Sequence, residues 1–321
     1  MKKILLKTFI VSIVVFLFPV VLTMLFSQHN EADSIETMDF TIYYEVDGAK
    51  EQLSFEDYLL GVVAANMPAG YHMEALKTQA VIARTYALYN ISLLSKEYPN
   101  KTTFTTSELG LSYISLEDLE QYWGEEDYSS YFTRLENAVY STKNEILVYH
   151  KELILPVFFD TGSGHTRNAS EAWGIEVPYL TSVSSKQDVT STNYLKIQEY
   201  EKSELIALLE KYYTNLELTE ETFFDRVNIT KRDTTGYVIE IDLGSLTVSG
   251  EEFAKVLGLP SSHFYIEDYE DSVRIICNGD GHGVGLSQYG ANAMAEDGSS
   301  YKDILSYYFT GISFLELTDL D

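Results

Sequence analysis

Between Gly61 and Tyr86 the chain reads GVVAANMPAGYHMEALKTQAVIARTY, and this stretch constrains the fold more than any other. In its second half Met73, Leu76, Ala80, Ala83 and Ala87 recur at the i, i+3, i+4, i+7 spacing of a helix face turned to a core. Straight-chain and small residues dominate, so the spacing predicts a helix. Lys77 and Arg84 lie seven apart, two turns, so both cations are expected on one side, away from the apolar stripe. Two aligned cations suit an anion or a sugar-peptide polymer, and equally suit ion pairs with Glu74 and its neighbours. Upstream, Phe55 to Ala65 reads as a short apolar helix. Asn66-Met67-Pro68-Ala69-Gly70 breaks it, because the residue before a proline is pushed out of the helical region. Asn66 is therefore expected at a helix end facing the start of the next helix, where a catalytic group can be displayed.

A length of 321 residues allows one large core or two smaller ones. Lys and Arg total 22 against 49 Asp and Glu, a formal charge of −27. That balance argues against a nucleic-acid-binding surface, which needs a basic stripe. The 25 tyrosines are consistent with carbohydrate contact, since a ring stacks on sugar CH faces while its hydroxyl stays wet; ordinary packing accounts for tyrosines equally well. Cys277 is the only cysteine, so no disulfide within the chain is available.

The N-terminus carries Lys2, Lys3 and Lys7 before an apolar run from Thr8 to Phe26. The run is long enough to span a bilayer, and no small-x-small cleavage pattern follows. The expected layout is a cytoplasmic tail at 1–7, a single membrane anchor at 8–26, a polar linker at 27–37 and an extracytoplasmic domain at 38–321. A cleaved signal is the alternative. Within the domain, Asp39 to Val46 reads as a first strand ending in a turn at Asp47-Gly48. Ser115 to Asp118 fits a capped helix start, Tyr131 to Thr142 an amphipathic helix, and Glu145 to Phe159 two strands around a turn at His150-Lys151. Gln198 to Leu216 reads as a helix, Phe224 to Val248 as a strand meander, and Ser249 to Gly258 as a short helix. Helices and short strands in mixed order predict an α+β fold in one domain.

Two glycine-rich segments stand out as loops that let backbone approach a ligand closely. One is Asp160-Thr161-Gly162-Ser163-Gly164-His165-Thr166-Arg167, followed by Ser170, Glu171, Trp173-Gly174 and Val177-Pro178-Tyr179-Leu180. The other is GDGHGVGLSQYG at 279–290, leading into a helix at about Leu286. Its glycines fit no phosphate-binding fingerprint, and no Gly-Lys-Ser/Thr follows.

Together these stretches resemble the SpoIID/LytB family of cell-wall proteins from spore-forming bacteria. The first resembles GVVAxEMPxxxxxEALKAQAxAARTY, matching at Gly61, Val62, Val63, Ala64, Met67, Pro68, Glu74, Ala75, Leu76, Lys77, Gln79, Ala80, Ala83, Arg84 and Tyr86. The second resembles HSTSGGxTxxSExxWGxxVPYL, and the third GHGVGxSQYGAxxMAxxGxxYxxILxxYYTG. Two departures matter. Asn66 stands where the family carries the glutamate assigned as its acid/base, and Phe159 stands where members often carry a histidine that can belong to a zinc site. With Phe159 apolar and Cys277 far along the chain, His165 has no obvious co-ligands, so no metal and no cofactor is expected.

The resemblance implies an envelope protein that acts on peptidoglycan glycan strands as a lytic transglycosylase, with an amidase and membrane partners, during forespore engulfment. That chemistry needs one carboxyl, which protonates the glycosidic oxygen and then takes the proton of the sugar's own 6-hydroxyl. An amide cannot do this. Three readings stay open: a non-catalytic glycan binder that works with an amidase, an enzyme using another carboxylate such as Asp57 or Glu74, and a weak enzyme using Asn66 to orient water or sugar. A membrane-anchored scaffold that never touches glycan is a fourth. On the family pattern the substrate-binding candidates around Asn66 are Lys77, Arg84, Tyr86, His165, Thr166, Trp173, His282, Gln288 and Tyr289.

Overall fold

The computed structural model describes residues 40–46 and 48–319. The expected tail, membrane anchor and linker lie outside these residues, as does Asp47 of the expected first turn. No helix among the described residues is long and apolar enough to cross a membrane.

The chain opens with β1 (Thr41–Val46) and β2 (Ala49–Leu53), an antiparallel hairpin. Helix α1 (Phe55–Asn66) follows, capped by Ser54, whose hydroxyl accepts the Asp57 N–H. It stops where expected: Met67 is extended, ahead of Pro68. Helix α2 (Met73–Glu97) starts from His72, whose Nδ1 accepts the Glu74 N–H. Strand β3 (Thr103–Thr105) pairs parallel to β1. Two short turns later come α3 (Leu119–Trp123) and α4 (Glu125–Ser141), separated by Gly124 at φ +82°. Next are β4 (Glu145–Tyr149) and β5 (Glu152–Leu153), joined by His150 and Lys151, both at positive φ, then the two-residue β6 (Phe158–Phe159).

After the first glycine loop and α5 (Ala169–Trp173), a second group of elements builds its own core. It comprises β7 (Leu195–Glu201), α6 (Lys202–Leu209), α7 (Phe223–Arg226), β8 (Val227–Arg232), β9 (Val238–Leu243), β10 (Leu246–Ser249), α8 (Gly250–Leu257), β11 (Phe264–Tyr269) and β12 (Ser272–Asn278). Its two three-stranded sheets run β10-β9-β8 and β11-β12-β7. The chain then returns through the second glycine loop to β13 (Leu286–Ser287), α9 (Gln288–Glu296), α10 (Tyr301–Tyr308) and β14 (Ser313–Glu316). β13 lies parallel to β6, and β14 closes a sheet of order β14-β4-β5.

This is the α+β mixture predicted, with the described apolar residues gathered into two main cores. One expected helix is corrected. Residues 198–201 belong to β7, which pairs residue by residue with β12 from Leu195↔Asn278 to Glu201↔Ser272, and the helix begins only at Lys202 and ends at Leu209. Helix α2 is the axis of the larger core. Leu76, Ala80, Ala83 and Ala87 are enclosed as their spacing predicts and Met73, at the first turn, is half-buried, yet Ala75, Thr78, Gln79, Arg84 and Thr85 are buried as well. Its small residues let neighbours close in on nearly every side. Gly61 shows the same economy of space on α1: a Cβ there would stand 2.3 Å from the Tyr113 ring and 2.4 Å from the Ile114 carbonyl oxygen.

Candidate active site

Asn66 ends α1, and its side chain is held on both donors. Nδ2 donates to the Val62 carbonyl at 2.7 Å and to the Ser112 carbonyl at 2.9 Å. The Asn66 backbone oxygen accepts Gln288 Nε2 at 2.6 Å, and the same nitrogen donates to Gln79 Oε1 at 3.1 Å. Position 66 is thus joined directly to the C-terminal motif, 222 residues away. Gln79 is fully buried in α2, and its own Nε2 has no partner among the described residues.

The two glycine loops are laced together around this contact. Thr161 and Asp280 exchange backbone hydrogen bonds, and the Arg167 N–H donates to the Gly283 carbonyl at 2.7 Å. Gly285, at φ +81°, passes so close to Val157 that a Cβ would stand 2.2 Å from its carbonyl oxygen; only glycine fits there. Ser287 caps α9 by accepting the Gly290 N–H and donates to the enclosed carboxylate of Asp188 at 2.8 Å. Asp188 also accepts the Gly162 N–H at 2.8 Å, and burial, outweighing these donors, raises its carboxyl above the ordinary value. The Tyr289 N–H donates to the Asp160 carbonyl, and its hydroxyl meets Thr190. Tyr71, five residues past Asn66, is pushed up to about 12 by burial and by the facing Asp160, Tyr289, Asp188 and Glu296. Gln288 thus touches Asn66, the adjoining Tyr289 is tied to Asp160, and Tyr71 on the loop 66–72 lies within electrostatic reach of Asp160 and Tyr289.

Several expected site residues lie elsewhere. Arg84 is 1 % exposed and is corrected from a substrate-facing cation to a structural one. It donates to the Val139 carbonyl in the last turn of α4 and to the Glu145 carbonyl at the start of β4, where helix-end carbonyls lack partners and a cation is favoured. Burial holds its guanidinium down at about 10. Lys77 is paired with Glu74 at 2.7 Å and lies over the Tyr301 ring. Two positions from Gln79, it projects about 200° around the helix from the Asn66 contact. The ion-pair reading of this cation is the one the geometry supports.

Glu74 accepts from Lys77 and from the Tyr301 N–H. Burial pushes its carboxyl up, but these partners outweigh it and hold the group below its ordinary value. It is poorly placed to donate a proton. Asp57 binds Ser54 at the far end of α1, about 13 Å along the axis from position 66. Thr166 is buried with its hydroxyl accepting the Val183 N–H, and Tyr86 packs beneath Gly110. His165 is exposed on a backbone bridge to Ser184. Cys277 is enclosed in the second core beside Ser261.

Trp173 and His282 do come together, ring centroids 5.9 Å apart, with buried Phe159 edge-on to the histidine at 5.8 Å. His282 is a brace: Nδ1 accepts the Val284 N–H at 3.1 Å, and the ring also bonds the Phe158 backbone.

A model of the stage II sporulation protein family matches residues 44–149, which hold the α1–α2 motif. Stage II sporulation protein D of Bacillus subtilis (strain 168) is 31 % identical over 292 residues, covering 90 % of this chain and 82 % of the relative. The chain belongs to the SpoIID/LytB family. The stage II sporulation protein D of Bacillus amyloliquefaciens is 33 % identical over 276 residues, 86 % of this chain and 78 % of that protein. The amidase enhancer of Bacillus subtilis is 27 % identical over 300 residues, 79 % of this chain but 39 % of its own length. Membership of the SpoIID/LytB family thus rests on the glycine loops as well as on the helices.

The half-buried brace has a consequence for stability. Burial, with the Arg167 charge adding to it, lowers the His282 imidazole from 6.5 to about 4. Between those values the unfolded chain takes up a proton that the folded chain refuses, so stability is full above the window and falls as pH drops through it. Urea midpoints measured across the window should decline for the natural protein, and the decline should be shallower for His282→Gln. Equal slopes would show that the imidazole is not the group responsible.

Proposed function

We propose that this chain takes part in remodelling peptidoglycan during sporulation. In this reading it binds glycan strands over the surface around Asn66, Tyr71, Asp160, Gln288 and Tyr289, and acts with an amidase. It does so from the outer side of the cell membrane, held by the apolar segment at 8–26. The names of its relatives, a stage II sporulation protein and an amidase enhancer, support the process and the partner.

One observation carries the finer reading. The family pattern has a proton donor at position 66, and here that place holds an amide whose two N–H groups are both spent on backbone carbonyls. The chain is read as a glycan binder that has lost the family's acid. Neither Glu74, ion-paired, nor Asp57, at the other end of the helix, replaces it.

Wall binding tests this. The purified full-length protein should pellet with peptidoglycan and with glycan strands stripped of peptides. The protein is strongly acidic, Arg84 is enclosed and Lys77 is paired, so binding should rest on stacking and neutral hydrogen bonds and weaken little as salt is added. A steep loss with salt would refute that basis. No pelleting at all would favour a scaffold role.

A further inference from the structure

Five aromatic side chains form a continuous run where α3 meets α4. Trp123 is its centre, with ring centroids 6.2 Å from Tyr122, 6.4 Å from Tyr128 and 5.7 Å from Tyr131, the last edge-on; Tyr128 in turn lies 5.7 Å from Phe132. The inner edges of Trp123, Tyr128, Tyr131 and Phe132 pack on the larger core, but none of the five is enclosed, and Tyr122 is 57 % exposed. Gly124 turns the chain beside them and leaves open space where a side chain would stand.

The run abuts the segment that follows Asn66. The Tyr131 hydroxyl is 3.8 Å from where a Cβ on Gly70 would lie, and Arg134, on the same helix, donates to the Ala69 carbonyl at 3.1 Å and to the Tyr71 carbonyl at 2.5 Å. The aromatic surface is therefore continuous with the loop that presents Asn66 and Tyr71. The end of this surface away from Arg134 is acidic. Glu117, Glu120 and Glu125, with Gln121 and Gly124, line a shallow hollow next to Trp123, and no cation is among these residues. A carboxylate or phosphate would be repelled there. A neutral ring with CH faces for stacking, and hydroxyl or amide N–H groups for the glutamates, would not.

We infer that Trp123, Tyr122 and Tyr131 form a subsite for an uncharged N-acetylhexosamine unit of a strand bound across Asn66. This rests on the glycan-binding reading above and adds to it where on the chain one sugar sits and that it carries no charge.

The chain has two tryptophans, Trp123 and Trp173, so the full-length Trp173→Phe protein reports on Trp123 alone. Titration with the N-acetylglucosamine hexamer should give a saturable change in its emission, and an oligogalacturonate of equal length should give none. By calorimetry with the same hexamer, Trp123→Phe and the exposed Tyr122→Ala should each bind about three- to tenfold more weakly than the unchanged protein. Tyr122→Ala guards against a folding defect, since that ring stands largely in solvent. If the unchanged protein pellets with peptidoglycan while Trp123 emission ignores the hexamer, the subsite is refuted and the glycan-binding reading survives. If the galacturonate titrates as well as the hexamer, the charge selection is refuted. If neither pelleting nor titration occurs, both readings fall.

Discussion

Arg167→Ala lowers the free energy of unfolding by about 3–5 kcal/mol, the cost of removing one partner from a buried ion pair. The Arg167 guanidinium is wholly enclosed. Nε donates to Asp233 at 2.6 Å, Nη1 donates to Glu251 and to the His282 carbonyl at 3.0 Å each, and the plane lies 4.5 Å over the Tyr237 ring. Glu251 is half exposed and loses little on its own. The Asp233 side chain is 1 % exposed, and its other oxygen accepts the N–H groups of Thr235 and Tyr237, so without the arginine a charge is stranded on the turn that leads into β9. The arginine belongs to the first glycine loop, whereas Asp233, Tyr237 and Glu251 belong to the segment that builds the second core. Urea denaturation of Arg167→Ala should therefore show a lower midpoint and a second core that unfolds separately. In the paired variant Arg167→Met with Asp233→Asn the loss should be smaller, because no charge is left behind. A single transition at the original midpoint would show that the pair does not join the two cores.

That joint was not legible in the sequence, although Arg167 sits inside a motif. Local features were legible. The break at Asn66 to Gly70, the start of α2 near Met73 and the glycine loop before α9 follow from proline geometry, apolar spacing and glycine freedom within a few residues. The fate of a helix face was not. Lys77 and Arg84 do share a side of α2, but spacing cannot say what packs on that side, and α4 with β4 encloses Arg84. Strand β7 was missed because LKIQEYE is poor in strand formers, and pairing with β12 supplies what propensity lacks. The site was half visible. Asn66, Gln288, Tyr289 and Asp160 stand in motifs and are joined by hydrogen bonds, and Tyr71 falls inside the first stretch, whereas Asp188 is tied to Ser287 and Gly162 only by the fold. Gln79 was within reach, since it belongs to the first motif, but its role as the partner of Gln288 needed the fold.

Protein carrying Asn66→Glu should release anhydro-muramic products from peptide-stripped glycan strands at least about 10²-fold faster than the unchanged chain, the lower range of what a positioned general acid contributes. The surroundings favour this. The Val62 and Ser112 carbonyl oxygens, which now accept from the Asn66 amide, point their lone pairs at whatever replaces it. A carboxylate facing two acceptors is repelled, and a protonated carboxyl can donate to one of them, so the introduced group is held above the ordinary carboxyl value. A raised carboxyl is what proton donation to a glycosidic oxygen requires. Turnover should then fall as pH rises through that value, and the stability cost of the substitution should grow in the same direction, because the folded state binds the proton more tightly than the unfolded one. Gain of product without that pH dependence would mean the group ionises freely and the carbonyl pair does not govern it. Product from the unchanged chain would overturn the reading of a lost acid. The carboxylate to remove next would be Asp160, whose backbone carbonyl holds the Tyr289 N–H next to Gln288 and whose side chain accepts from Thr161 and Asn193, and Asp160→Asn should then abolish the reaction.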